Sequence, residues 1–209
     1  MTPEDNKSME EVIELGYASF TLPGQSESGD TYIVKHFDNG VLVGVVDGLG
    51  HGNEAAIAAK AAVKVLEQYA HESVLSIIRR AHEALRSTRG VVMSIARFNV
   101  TENTMMWSSV GNVEGVFFRA DRNTIPNREI ILLRGGVVGY QLPQLYASVH
   151  PVLPGDTLIF ATDGVRSGFY ETISLHDTPQ KLADKICTQS IKKNDDALVL
   201  VVRYLGRKL

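Results

Sequence analysis

The stretch VLVGVVDGLGHGNEAAIAA, residues 41–59, determines how the rest of the chain is interpreted. An apolar run over residues 41–46 ends at Asp47, and a glycine-rich turn follows at residues 48–52. A helical pattern begins directly afterwards, with Asn53 as the predicted N-cap. Because glycine has no Cβ, the backbone of such a turn can come close to a bound metal or phosphate. The stretch therefore predicts a buried strand that delivers a carboxylate to a ligand site.

Three further aspartates stand beside strand-like runs. Asp30 lies directly before residues 31–37, Asp163 follows the apolar segment LIFAT, and Asp195 lies just before the apolar run that starts at Ala197. A lone Asp-Gly pair is usually only a turn, but four carboxylates at strand ends favour a shared site. Spacing alone leaves the choice between turn residue and ligand open.

Two of these carboxylates are expected to be neighbours across a hairpin. Residues 38–40 read Asp-Asn-Gly, a strong turn signal, because Asn-Gly tolerates positive φ at both central positions. The flanking strands would then pair antiparallel. Asp30, which starts one strand, and Asp47, which ends the other, would lie at the same end and could converge on one ion.

Composition narrows the class of protein. The chain has 209 residues, 44% of them apolar, and a net charge of −3, which gives no basic surface for nucleic acid or an anionic membrane. Its one cysteine, Cys187, excludes an internal disulfide and fits a reducing cytoplasm. No signal peptide is expected, and no apolar run approaches the roughly 20 residues of a membrane span. We predict one domain over residues 1–209, with residues 1–10 as a flexible tail.

The predicted elements favour an α+β fold with two packed antiparallel sheets flanked by helices, because the helices come in blocks and the strands are too many for one sheet. Helices are predicted at residues 54–69, 74–86 and 179–191, with Ser73 as the cap of the second. Strands are predicted at residues 12–20, 31–37, 41–46, 91–98, 104–110, 115–119, 129–133, 145–150, 157–161 and 197–204.

Four motifs, in this order and over nearly the whole chain, resemble the metal-dependent protein phosphatase family, type 2C: Gly29-Asp30, VVDGLGHG at residues 45–52, ATDG at residues 161–164 and DDALVLVV at residues 195–202. The DGLGHG form, followed by an alanine-rich helix, is similar to the bacterial SpoIIE branch. A free-standing catalytic domain of this size is similar to the RsbX type, which acts on stressosome proteins.

The resemblance implies a four-layer α-β-β-α sandwich with two manganese or magnesium ions between its sheets, and carboxylate and carbonyl oxygens suit both metals. It implies that Asp47 bridges both ions, and that the Gly48 carbonyl binds one of them with Asp30 nearby. It implies that Asp163 and Asp195 complete the shell of the other ion. Asp47 and Asp163 are the residues on which catalysis would depend.

The resemblance further implies a serine/threonine phosphoprotein phosphatase in which a metal-bridged hydroxide attacks the phosphorus atom. The implied partner is a phosphorylated STAS-domain stressosome protein in bacterial stress signalling. A cytoplasmic monomer without nucleic-acid or membrane partners is expected. Two other classes stay open: a catalytically silent binding module with the same fold, and an ATP-binding kinase of the histidine-kinase type. The second lacks the lysine and spacing of a P-loop.

Several residues depart from the family pattern or carry two interpretations. The first strand has no arginine to bind phosphate, and Asn112 replaces a frequent aspartate, so a third ion should bind weakly or not at all. Asp195 is chosen as the metal ligand over Asp196, because the first aspartate of the family's Asp-Asp or Asp-Asn pair is the ligand. His51 is predicted as a turn residue rather than a general acid. The loop at residues 134–144 is expected to select substrates, and Lys192-Lys193 to form a solvated face.

Overall fold

The structure, a computed structural model, describes residues 12–121, 123–171 and 173–206, so the predicted tail at residues 1–10 lies outside the described residues. Ten strands and three helices occur in the described part of the chain. In chain order they are β1 (Ile13–Phe20), β2 (Asp30–Phe37), β3 (Gly40–Gly48), α1 (Asn53–Gln68), α2 (Val74–Ala84), β4 (Val91–Asn99), β5 (Thr104–Val110), β6 (Glu114–Phe118), β7 (Arg128–Ile130), β8 (Ser148–Pro151), β9 (Thr157–Ala161), α3 (Pro179–Ser190) and β10 (Ala197–Tyr204).

The strands form two five-stranded sheets. Sheet A has the order β1-β10-β9-β6-β7, and sheet B has the order β2-β3-β4-β5-β8. Every pairing in both sheets is antiparallel. The two edge strands β7 and β8 follow each other in the chain but belong to different sheets, so the segment between them crosses from one sheet to the other.

Strand β3 shows how the two sheets and the helices are layered. Its side chains alternate: Val41, Val43 and Val45 pack in the core between the sheets, whereas Leu42 and Val46 pack against α1 and α2. Both faces of this strand are buried, which is why its sequence is a continuous apolar run rather than an alternating one.

Strand β10 repeats this alternation in sheet A. Leu198, Leu200 and Val202 face sheet B, whereas Val199 and Val201 face α3. The layers are therefore α1 and α2, sheet B, sheet A and α3. The predicted four-layer α-β-β-α sandwich is confirmed.

The N-terminal caps of α2 and α3 follow from the local sequence, whereas the N-terminal cap of α1 differs from the prediction. The Oγ atom of Ser73 accepts a hydrogen bond from the Ser76 amide at the start of α2, and Thr178 caps α3 with Pro179 as its first residue. The prediction of Asn53 as the N-cap of α1 was wrong. Gly52 occupies that position with a φ of 75°, and no side chain caps the helix.

The hairpin between β2 and β3 was predicted correctly, but for the wrong reason. Phe37 pairs with Gly40, so the two turn residues are Asp38 and Asn39, and neither has a positive φ. Gly40 is a strand residue instead. A Cβ there would lie 1.8 Å from the Phe98 carbonyl oxygen, so the glycine is needed for space rather than for its φ.

Strands β7 and β8 are displaced from their predicted bounds. β7 ends at Ile130 rather than continuing to residue 133, and β8 covers Ser148–Pro151 rather than residues 145–150. The segment between them is held by other contacts: the Arg134 carbonyl accepts from the Gly111 amide at 2.7 Å, and Val138 pairs with Val91. These tertiary bonds replace the continuation of either strand.

No helix among the described residues has both the length and the apolar character needed to span a membrane.

Candidate active site

The two sheets each bring two of the predicted carboxylates to the same end of the sandwich. In sheet B, Asp30 pairs directly with Asp47 across β2 and β3, so the two lie at the same end of neighbouring strands, as predicted. In sheet A, Asp163 follows the last residue of β9, and Asp195 lies just before β10, which pairs with β9 antiparallel. Antiparallel pairing places the end of one strand beside the start of the next, so these carboxylates also lie at one edge.

A cavity of about 410 Å³ lies at this end of the sandwich. Three of the predicted carboxylates line it, namely Asp47, Asp163 and Asp195, together with Asn112 and His51. Asp30 is not among the lining residues. It is buried, with 9% of its surface exposed.

Both Asp-Gly pairs need their glycine for close packing. A Cβ at Gly48 would lie 2.1 Å from the carbonyl oxygen of Ala55, and a Cβ at Gly164 would lie 1.9 Å from the carbonyl oxygen of Asp196. Neither glycine has a positive φ. The glycines let a helix residue and the start of β10 approach the turns that carry Asp47 and Asp163, and so bring the elements of the site together.

Asp30 is held from the opposite sheet by a threonine. The Thr162 hydroxyl donates to Asp30 Oδ2 at 2.7 Å and accepts from the Leu198 amide at 2.8 Å. Burial raises the pKa of Asp30 to about 7, the Thr162 bond opposes this rise, and nearby carboxylates including Asp196 and Asp163 add to it. The hydrogen bond fixes the orientation of this side chain between the sheets.

Asp47 is the most perturbed carboxylate of the site. Burial first, and then the charges of Asp30, Asp163 and Asp195, raise its pKa to about 9. Burial and the neighbouring charges therefore favour the protonated form of Asp47 when no cation is bound. A divalent cation among these oxygens would remove the cause of the shift, so the crowding of acidic groups fits magnesium or manganese.

The carboxylates are not gathered into a preformed chelating cluster. Within residues 12–121, 123–171 and 173–206, no three His, Cys, Asp or Glu side chains are placed to hold a metal ion together. Two of the side chains have protein partners instead. Asp163 Oδ2 accepts from Asn112 Nδ2 at 2.8 Å, and Asp195 Oδ1 accepts from the Asp196 amide at 2.9 Å. The donor types fit a hard cation, and the ligand set of Asp30, Asp47, Gly48, Asp163 and Asp195 stays a prediction.

Asp195 and Asp196 differ sharply in their surroundings. Asp196 is 2% exposed, and its two carboxylate oxygens accept from the amides of Leu22 at 2.8 Å and Gly29 at 2.7 Å. These amides are the two ends of the loop before β2. Asp196 therefore holds that loop against β10, whereas Asp195 lines the cavity and has oxygen atoms available to a ligand.

Two other predicted features adjoin the cavity. His51 lines it, as do Gly135, Gly136 and Val137 of the loop expected to select substrates. Lys192 is more than a solvated side chain: its Nζ donates to the Asp163 carbonyl oxygen at 2.5 Å. Trp107, 3% exposed, is a core residue.

Sequence reasoning missed three residues that shape the site: Thr162, Asp196 as a loop anchor, and Lys192. Thr162 stands inside the quoted ATDG motif, so its position next to Asp163 was the available signal. The second aspartate of the Asp-Asp pair was visible too, but only the fold shows which member is buried. For Lys192 the sequence holds no signal, because its contact depends on how the chain after α3 folds back onto residues 164–166.

Comparisons with known proteins identify the family of the chain. The family model described as stage II sporulation protein E (SpoIIE) matches residues 38–205. The phosphoserine phosphatase RsbX of Bacillus subtilis (strain 168) is 38% identical over 90 residues, which are 43% of this chain and 45% of that protein. The matched stretch thus spans less than half the length of this curated relative.

Solved structures extend the likeness to nearly the whole chain. A chain from work on the bacterial stressosome, described as a modular system adapted to control secondary messenger signalling, superposes with a TM-score of 0.82 at 27% identity, over 91% of this chain and 99% of that one. The crystal structure of RsbX in complex with magnesium gives a TM-score of 0.79 at 22% identity, over 92% of this chain and 95% of that one. The second likeness shows a shared fold.

Proposed function

The chain belongs to the SpoIIE family, and from this premise we propose that it is a metal-dependent phosphatase that hydrolyses phosphoserine or phosphothreonine in proteins. The observation that carries the proposal is the convergence of acidic side chains from both sheets on one cavity, with the pKa of Asp47 raised to about 9. Crowded carboxylates repel one another, and a bound cation would relieve this repulsion, which supports a metal at this site.

Asp47, Asp163 and Asp195 would hold the divalent ions, with the Gly48 carbonyl and Asp30 completing the set. When bound, such ions supply positive charge that lowers the pKa of water and offsets the charge of a phosphate. The chain's own part is positioning. Thr162 orients Asp30, and two backbone amides on Asp196 fix the loop that leads into β2. Fixed ligands reduce the reorganisation needed during the reaction.

For the substrate, we propose a phosphorylated protein of a stressosome, of the STAS-domain class. Two findings support this: the relative RsbX is a phosphoserine phosphatase, and a similar solved chain comes from stressosome work. The residues Gly135, Gly136 and Val137 border the cavity, so a protein substrate would contact this loop as its phosphorylated side chain enters. A cytoplasmic location and a monomeric state stay predictions from the sequence.

The proposal is tested by phosphate release from phosphoserine and phosphothreonine peptides, and then from phosphorylated STAS-domain proteins, with manganese or magnesium added in turn. We expect activity only with a metal, and a loss of at least about a hundredfold in Asp47→Ala and Asp163→Ala. Asp38→Asn, an exposed change in the β2–β3 turn, is the matched control and should retain activity. Full activity in either alanine variant would refute the proposal.

The alternative of a catalytically silent binding module draws on one observation. The carboxylates are engaged with Asn112 and a backbone amide rather than gathered for chelation. Calorimetric titration with manganese separates the two functions. Binding that is lost in Asp47→Asn supports the phosphatase, and no binding by the unaltered chain supports the silent module.

A further inference from the structure

We propose that Lys192 binds the phosphate group of the substrate at the rim of the cavity. The inference rests on the proposed phosphatase function and adds a substrate-binding residue to it. It comes from the position of the ammonium group, the way the backbone of Lys192 is fixed, and the absence of an acidic partner for it among the described residues.

The ammonium of Lys192 lies beside a residue that lines the cavity. Its Nζ donates to the main-chain oxygen of Asp163 at 2.5 Å, and Asp163 lines the cavity, whereas Lys192 itself lies just outside the lining residues. A lysine ammonium carries three hydrogens, so this bond leaves two free to donate. The group therefore sits within reach of an anion next to Asp163 without having to give up its present contact.

The backbone of Lys192 is held in place, although the side chain is exposed. Its amide donates to the Gly164 carbonyl at 2.8 Å, and the preceding residue, Ile191, forms a β-bridge with Val165. The Arg166 amide donates to the Ser190 carbonyl at 2.8 Å. These bonds tie residues 190–192 to the turn that follows Asp163, so the lysine is fixed relative to that aspartate.

The charge of Lys192 is not neutralised by an acidic side chain in the described part of the chain. Arg89 is the contrasting case. It lies beside Gly50, on the other side of the cavity, but its guanidinium pairs with Glu54. A phosphate must enter a cavity lined by three carboxylates, and an unpaired cation at the rim offsets their repulsion. Lys192 is positioned to do so.

The experiment compares Lys192→Met with Lys193→Met, which removes the same charge from the adjacent position. Binding of inorganic phosphate to the manganese-loaded protein is measured by calorimetry, and hydrolysis of p-nitrophenyl phosphate is measured alongside. We expect Lys192→Met to raise the Kd for phosphate and the KM by about tenfold, because a hydrogen bond to a charged group is lost. Lys192→Arg should restore most of the affinity. Lys193→Met should change both by less than about twofold.

A purely structural role for Lys192, through its bond to the Asp163 carbonyl, would give a different result. The Kd for manganese would then rise while phosphate affinity stayed level, and this outcome would overturn the inference. So would equal effects of Lys192→Met and Lys193→Met. If the unaltered protein binds phosphate through Lys192 but hydrolyses no substrate, the phosphatase proposal fails and the binding site stands. If it does neither, both fail.

Discussion

At the scale of single residues, each carboxylate of the site accepts a hydrogen bond from a different kind of donor. Asp163 is bonded by Asn112, Asp30 by Thr162, and Asp195 by a backbone amide. The Asn112 bond is notable because an amide donates where a carboxylate could only accept. Asn112 thus stabilises the metal-free arrangement of Asp163, and a carboxylate in its place would face Asp163 with like charge.

Replacement of Asn112 by aspartate should therefore destabilise the metal-free protein and favour the binding of an additional cation. We expect Asn112→Asp to lower the stability of the metal-free protein by about 1–2 kcal/mol, because a hydrogen bond is replaced by repulsion. We also expect it to bind at least one more manganese ion. Urea unfolding in chelator and calorimetric titration with manganese measure the two effects. Asn112→Ala removes the hydrogen bond and adds no charge. It should lower the stability of the metal-free protein by a smaller amount and bind no additional manganese ion. Unchanged stoichiometry in Asn112→Asp would contradict the expectation.

At the scale of elements, the loop at residues 22–29 depends on one buried side chain. Asp196 accepts from the amides at both of its ends, and the Gly29 carbonyl accepts in turn from the Gly48 amide at 3.0 Å. The loop, the start of β2 and the turn after Asp47 are thus linked to β10. Loss of the Asp196 carboxylate would detach the loop from β10 and leave Asp30 tied to that strand only through Thr162.

We expect Asp196→Ala to weaken manganese binding about tenfold or more and to make the loop sensitive to proteolysis. Asp156 provides the matched control. It is also 2% exposed and also accepts from two amides, those of Ala120 and Leu153, but it lies at the opposite end of β9. Asp156→Ala should destabilise the protein by a similar amount, about 2–4 kcal/mol, and leave the Kd for manganese unchanged in protein that is still folded. Equal loss of manganese affinity in both variants would show that Asp196 acts through general stability.

Elements with both faces buried were the most predictable from the sequence. β5, β9 and β10 have the predicted bounds, whereas β3 is longer than predicted by one residue at its start and two at its end. The hairpin signal placed Asp30 and Asp47 at the same end of paired strands, although the turn lies one residue earlier than the signal indicated. Prediction failed where contacts between residues far apart in the sequence determine the local structure. β7 ends at Ile130, and the chain beyond it bonds to Gly111 through the Arg134 carbonyl. Gly40 is required because a Cβ there would meet the Phe98 backbone. The same limit applies to the site: the carboxylate positions could be read from strand ends, whereas the roles of Thr162 and Lys192 depend on tertiary packing.

At the scale of the whole molecule, the two sheets are joined near their edge strands by an ionisable pair. Nδ1 of His150 in β8 donates to Glu129 Oε2 of β7 at 2.9 Å, and the His150 ring lies 5.2 Å from that of Trp107. Burial lowers the pKa of His150, Glu129 acts in the opposite direction, and Arg119 lowers it further. The folded protein therefore disfavours the protonated imidazole relative to the unfolded chain.

The sign of the pH dependence follows from this shift. The stability that comes from neutral His150 is fully present above the unfolded pKa of about 6.5, and is lost as the pH falls below it toward the lower folded pKa. The loss is at most about 1.4 kcal/mol per pH unit. Urea unfolding at pH 7.5 and 5.5 should show a smaller loss in His150→Gln than in the unaltered protein. Glu129→Gln should show a larger loss, because the group that favours protonation is removed. A pH dependence identical in all three proteins would exclude this role.

At the opposite end of the sandwich, where the cavity lies, the sheets meet through carboxylates that repel one another. Asp47 comes from sheet B and Asp163 from sheet A, so ions bound between them would join the sheets and stabilise the folded state. Manganese at one hundred times its Kd should add about 2.7 kcal/mol, which corresponds to a rise in Tm of about 5–10 °C for a chain of this size. Thermal unfolding with and without manganese measures the shift. Asp47→Asn and Asp163→Asn, from opposite sheets, should each abolish most of it, whereas Asp156→Asn should start from a lower Tm and keep the full shift. Persistence of the shift in both cavity variants would mean that manganese binds elsewhere and that the sheets do not share it.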